Sequence, residues 1–144
     1  RLIADFGGLW KVMPAFSALF LVVTLSSIGL PGLNGFVGEF LILVGAFQWN
    51  RTVAVLATTG IIFAAVYMLW MYQRLFFGEI TREENRRLPD LSVREWVVLA
   101  PVLLFIVWIG VYPAPFTRLT EASVQALISQ VQAKAAATAA LAVR

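Results

Sequence analysis

Cysteine and histidine are both missing from the 144 residues, and charged side chains make up only 13% of them. The lack of thiols excludes disulfides and cysteine chemistry, and the lack of imidazole removes the usual neutral-pH acid/base group and most transition-metal ligand sets. Proton handling is left to carboxylates, lysine, tyrosine and water. So little charge does not suit a water-facing globular surface. With 60% hydrophobic residues and a mean hydropathy of +0.85, the composition suits a bilayer. The net charge of +3 and pI of 9.8 invite a nucleic-acid reading. The arginines, however, sit beside apolar segments with no interleaved aromatic platform or binding motif, and no nucleic-acid partner is expected. An initiating methionine and a signal-peptide pattern are also lacking, which reads as a piece of a longer chain.

What is present is a set of four apolar segments: Pro14 to Leu30, Phe36 to Trp49, Val53 to Gln73 and Trp96 to Tyr112. The third has 21 uncharged residues and is long enough to span. The fourth is framed by a Ser92-Val93-Arg94-Glu95 capping box and by Pro113, with Pro101 inside it as a source of a kink. The second has 14 residues, short of the roughly 20 needed to cross alone, so it is read with the first as one broken crossing. Charge supports this reading. One side then collects Arg1, Lys11, Arg74, Arg82, Arg86, Arg87 and Arg94, against Arg51 and Arg118 on the other, and the cation-rich side faces the cytoplasm.

The expected fold is therefore an all-α integral membrane protein with three transmembrane helices, the first discontinuous between Pro31 and Gly35, plus a C-terminal surface helix or tail. Its divisions are a cytoplasmic segment 1–13, a discontinuous helix 14–49, helices 53–77 and 96–112, a cytoplasmic Arg-rich loop 78–95 and an outer-side tail 113–144. The loop is expected to be a solvated turn, and the tail a surface helix with a frayed end.

The stretch LPGLNGFVGEF, from Leu30 to Phe40, holds the chemistry. Proline donates nothing to a helical ladder and restricts Leu30, so the first half-helix should end near Leu30. Pro31 and Gly32 form the break, Asn34 is a good N-cap for the second half-helix, and Gly35 follows. Irregular backbone at membrane depth must face protein or water. Glu39 is the only charged residue within the four segments. Low dielectric favours its neutral form and the nearby helix N-terminus its anion, so the group can be poised to change state. Intramembrane acids beside broken helices mark ion sites in transporters. A permanently neutral, hydrogen-bonded helix glue is the competing reading. No catalytic, cofactor-binding or metal-ligating set is found.

The runs from Gly7 to Phe47, YQRLFFG at Tyr72 to Gly78, and Leu88 to Glu95 together resemble the M-type, or chain 4, antiporter-like membrane subunits of respiratory complex I, the proton-pumping NADH:quinone oxidoreductase. The resemblance implies the C-terminal part of a longer subunit built on inverted repeats, in a bacterial inner membrane, crossing it several times. Glu39 is then the proton-translocating residue toward the outer exit. Lys11 and Arg74 are anchors or water-path residues. The chain would be a non-redox subunit of the enzyme, with no cofactor of its own. NADH, FMN, iron-sulfur clusters and quinone belong to partner subunits, and L-type and N-type antiporter-like subunits and lipid are the neighbours. Relatives of those two types, and Mrp cation/proton antiporters, usually carry lysine where Glu39 stands. An Mrp-type antiporter subunit is the alternative, and a scaffold in which Glu39 never titrates is a third.

Overall fold

The computed structural model describes residues 3–80 and 82–142. Arg1, one of the cations assigned to the cytoplasmic side, and the last two residues of the expected tail lie outside them. Every regular element among the described residues is helical: α1 (Pro14–Ser27), α2 (Asn34–Trp49), α3 (Arg51–Phe76), α4 (Val93–Val111) and α5 (Ala114–Ala142), with short 3-10 turns at Ile3–Asp5, Leu9–Lys11 and Glu83–Arg87. Two of the helices, α3 and α4, are long and apolar enough to cross a membrane.

The helix ends follow from local chemistry. Pro14 opens α1, where its missing N–H costs nothing. The Asn50 side chain accepts from Thr52 N–H at 2.9 Å and Val53 N–H at 3.3 Å, so α3 starts at Arg51, immediately after the α2 corner and ahead of the expected residue 53. The expected capping box forms: Glu95 accepts from Ser92 N–H at 2.7 Å, while Ser92 Oγ accepts from Glu95 N–H at 3.4 Å. Helix α4 runs unbroken through Pro101.

Helix α3 runs antiparallel to both halves of the broken pair. Its C-terminal end meets α1, where Tyr72 and Phe76 are buried against Phe16 and Phe20, with ring centroids 4.5–6.4 Å apart. There the Tyr72 hydroxyl donates to the Ser17 carbonyl at 3.1 Å. Its N-terminal half meets α2, where Ala54 and Val55 share a groove with Phe47 and Gln48. At about 1.5 Å per residue, the 26 residues of α3 extend about 39 Å, enough to reach along much of both halves. Little of the apolar surface turns inward: 6% of α3's most apolar stretch and none of α4's is buried within the chain.

The loop after α3 is more than a solvated turn. An exposed Glu83–Arg86 pair at 3.2 Å fits that expectation, but Asn85 is buried and donates to the Asp5 carbonyl at 2.9 Å. Arg82 pairs with Asp5 at 2.5 Å and Gly8 N–H donates to the Phe77 carbonyl at 3.1 Å, clasping the N-terminal segment to this loop.

Asp90 belongs to the same loop and caps a helix 75 residues away. It accepts from Ala15 N–H at 2.8 Å and Phe16 N–H at 3.1 Å, the first free amides of α1, and from Leu91 N–H at 2.8 Å. Desolvation pushes its carboxyl up, but the three backbone donors outweigh it and hold the group below the usual 3.8. A depressed folded-state value means that stability from the anion is fully present above the ordinary carboxylate range and is lost as pH falls through the lower, folded value. Asp90→Ala is expected to cost about 1 kcal/mol, the usual worth of an N-cap, while Asp90→Asn keeps most of it. Chemical unfolding of the full-length protein in detergent measures both.

Residues 112–144 form a separate unit whose described body is α5. The Pro113 carbonyl accepts from Phe116 and Thr117 N–H to open it. The helix continues to Ala142, further than the frayed end expected, because its last third is rich in alanine, the strongest helix former.

Candidate functional site at the helix break

The break is built from two standard turns in series. At the end of α1, Leu30 N–H donates to the Leu25 carbonyl at 3.0 Å and Gly29 N–H to the Ser26 carbonyl at 3.1 Å, the paired bonds of a Schellman motif with Gly29 left-handed at φ 81°. The first half-helix therefore ends at Ser27, earlier than Leu30: Gly29 terminates it, and Pro31 only prevents resumption. Leu30, Pro31, Gly32 and Leu33 then make a turn closed by Leu33 N–H to the Leu30 carbonyl at 3.1 Å, with Gly32 at φ 93°. Proline second and a positive-φ glycine third mark a type II turn.

Asn34 does not cap α2. It is the helix's first residue, after Leu33, and its Oδ1 instead accepts from Ser26 Oγ across the break. Beside it Gly35 lies so close to the Ser26 carbonyl that a Cβ there would collide with it. The two half-helices are thus joined by a side-chain hydrogen bond and a backbone contact. Helix α4 closes the other side: a Cβ on Gly110 would strike the Gly32 carbonyl and the Leu33 backbone.

Glu39 sits in the second turn of α2, half-buried. Helical side chains lean toward the N-terminus, so its carboxyl reaches back to the break. It lies against Gly29, filling the space where a side chain of residue 29 would begin. Glu39 also lines a cavity of about 250 Å³ between α2 and α3, widely open to the surface, with Ile42, Leu43, Ala57, Gly60, Ile61 and Ala64. Small residues at 57, 60 and 64 share one face of α3 and leave that room. At about 30 Å³ per water the volume admits several, with Glu39 the one titratable group among the described residues lining it. A second groove, of about 640 Å³, shares Leu43 and continues to Gln48 and Thr58.

Pro31, Gly32, Asn34, Gly35 and Glu39 are therefore gathered at one place. Lys11 and Arg74 are not. Lys11 is exposed at the end of a 3-10 turn. Arg74, also exposed, stacks over Trp70 at 4.5 Å and lines a different cavity with Gln73 and Glu79. Sequence reasoning missed the buried hydroxyls of α1. Ser17, Thr24 and Ser26 are all buried, and the Thr24 hydroxyl has no hydrogen-bond partner among the described residues. The seven-residue spacing of Ser17 and Thr24 was the available signal, since it places both on one helical face.

Residues 1–65, which include the break and Glu39, match the family model described as NADH:quinone oxidoreductase/Mrp antiporter, TM. NADH-quinone oxidoreductase subunit M of Rhodobacter capsulatus is 44% identical over 133 residues, 92% of this chain and 26% of that protein. NADH-ubiquinone oxidoreductase chain 4 of Marchantia polymorpha is 44% identical over 128 residues, 89% of this chain and 26% of that protein. Among solved structures, a chain of respiratory complex I from Thermus thermophilus with bound NADH superposes with a TM-score of 0.74 at 36% identity, over 81% of this chain and 24% of that one. The chain thus spans about a quarter of the length of the relatives it matches. The resemblance read from the sequence holds: over most of its length this chain is similar to the M-type, chain 4 membrane subunits of NADH:quinone oxidoreductase.

Proposed function

We propose that this chain is the C-terminal part of a proton-translocating membrane subunit of NADH:quinone oxidoreductase, and that Glu39 carries the proton. The observation that carries this reading is the Glu39 carboxyl, packed against interrupted backbone and lining a cavity large enough for water. A carboxyl so placed can take H⁺ from one side of the break and give it to water on the other, its affinity switched by charge changes passed from neighbouring subunits. The groove beyond Leu43, ending at Gln48, is the outward route.

In this reading α1 and α2 make one broken crossing, and α3 and α4 make two more, giving three spans. The end of the bundle where α1 begins, α3 ends and α4 begins holds Lys11, Arg74, Arg82, Arg86, Arg87 and Arg94, which orients it to the cytoplasm. The membrane is the bacterial inner membrane, and the apolar outer surfaces of α3 and α4 meet lipid or L-type and N-type neighbours. The chain serves the enzyme as a non-redox subunit; NADH, FMN, iron-sulfur clusters and quinone are held by partners.

The test uses the assembled complex in sealed liposomes. NADH oxidation by quinone is expected to drive proton movement that an uncoupler abolishes, with no proton exchange driven by a sodium gradient alone. Sodium-driven exchange without redox turnover would replace this reading with the Mrp-type antiporter.

A further inference from the structure

We propose that Gly29 is a positioning residue for Glu39: the backbone at the end of α1 sets where the proton-carrying group of α2 stands. The inference rests on the reading of Glu39 given above and adds a second residue to that site.

Two observations meet at this glycine. Its φ of 81° is a conformation that L side chains rarely adopt, and the volume a side chain would occupy is already filled. A Cβ at Gly29 falls 3.1 Å from Glu39 Cδ and 3.7 Å from Oε1, with Oε2 nearer still. Gly32 provides the contrast. It has the same kind of backbone, φ 93°, but nothing lies within 4 Å of the position of its Cβ. Gly32 is needed for a turn alone, whereas Gly29 is needed for a turn and for the space.

The Glu39 carboxyl has two places to go. Against Gly29 it stands beside the Schellman turn, near the Ser26–Asn34 hydrogen bond that bridges the half-helices. Turned the other way it enters the cavity walled by Ile42, Leu43, Ala57, Gly60, Ile61 and Ala64, where no wall residue is titratable and the surroundings are apolar. Gly29 keeps the first station open. A side chain at residue 29 closes it and displaces the carboxyl into the second, away from the irregular backbone.

The test compares Gly29→Asn, Glu39→Asp, Glu39→Gln and the pair Gly29→Asn with Glu39→Asp, each in the assembled complex in liposomes. Asparagine tolerates left-handed backbone, so Gly29→Asn preserves the turn and fills the space. It is expected to slow proton movement about tenfold or more, since misplacing a reacting group by about 1 Å costs up to ~10²-fold in rate. The infrared carboxyl band, assigned by its loss in Glu39→Gln, shifts in the same variant. Aspartate withdraws the carboxyl by one methylene, so the double variant is expected to pump better than Gly29→Asn alone. If Gly29→Asn fails to assemble, restored assembly in the double variant supports the proposal and continued failure overturns it. Parental pumping and an unmoved band in Gly29→Asn, or losses that merely add in the double variant, reduce Gly29 to a helix terminator. A Glu39→Gln complex that pumps like the parent overturns the reading of Glu39 itself, whatever Gly29 does.

Discussion

Glu39→Gln is expected to lower proton translocation on the order of 10²-fold, the smaller end of what a positioned proton-transfer group contributes. Glutamine has nearly the same shape and retains a carbonyl and a donor at the position against Gly29, so packing at the break is preserved. What it loses is the ability to bind and release H⁺. Because no other titratable group is among the described residues lining its cavity, no neighbour in that lining stands ready to substitute. The amount of assembled complex and its helix content should therefore match the parent while proton movement collapses. Proton movement measured beside NADH oxidation in liposomes checks this, and unchanged rates of both return Glu39 to the role of neutral helix glue.

Gly110→Leu is expected to have the largest effect on folding. The position faces the backbone of Gly32 and Leu33, and backbone cannot swing aside as a side-chain tip can. Overpacking of a filled site commonly costs 1–3 kcal/mol, and here the last turn of α4 must move bodily, so the cost should be about 3 kcal/mol or more. Gly110→Ala should fall between parent and leucine. Thermal unfolding of the full-length protein in detergent ranks the three. Equal midpoints for all of them would mean that α4 does not rest on the break.

The parts of this site that could be read from the sequence are those encoded locally. A proline and glycine inside an apolar run announce a break, a single glutamate among apolar residues announces a candidate site, and Ser92 with Glu95 three residues on announces a helix start. Each depends only on near neighbours along the chain. Gly29 was unreadable as a terminator because a left-handed glycine and an ordinary helical one look the same in sequence, and the adjacent proline is the louder signal. Asn34 has the right side chain for a cap, yet Ser26 offers it a partner across the break that only the folded pair provides. Asp90 is the clearest case: its amide donors lie on a helix 74 and 75 residues earlier. Gly110 likewise reads as one more small residue in a membrane helix until Gly32 is placed against it.

Helix α3 has no interruption, yet it grips α1 through Tyr72 and Phe76 and α2 through Ala54 to Ala64. It acts as a splint. The two half-helices cannot swing about the interruption without peeling an aromatic cluster off one end or opening a groove at the other. Work transmitted to this region must then arrive as a local event, a torsion change of one acid or the arrival of a few solvent molecules, with the scaffold around it held still.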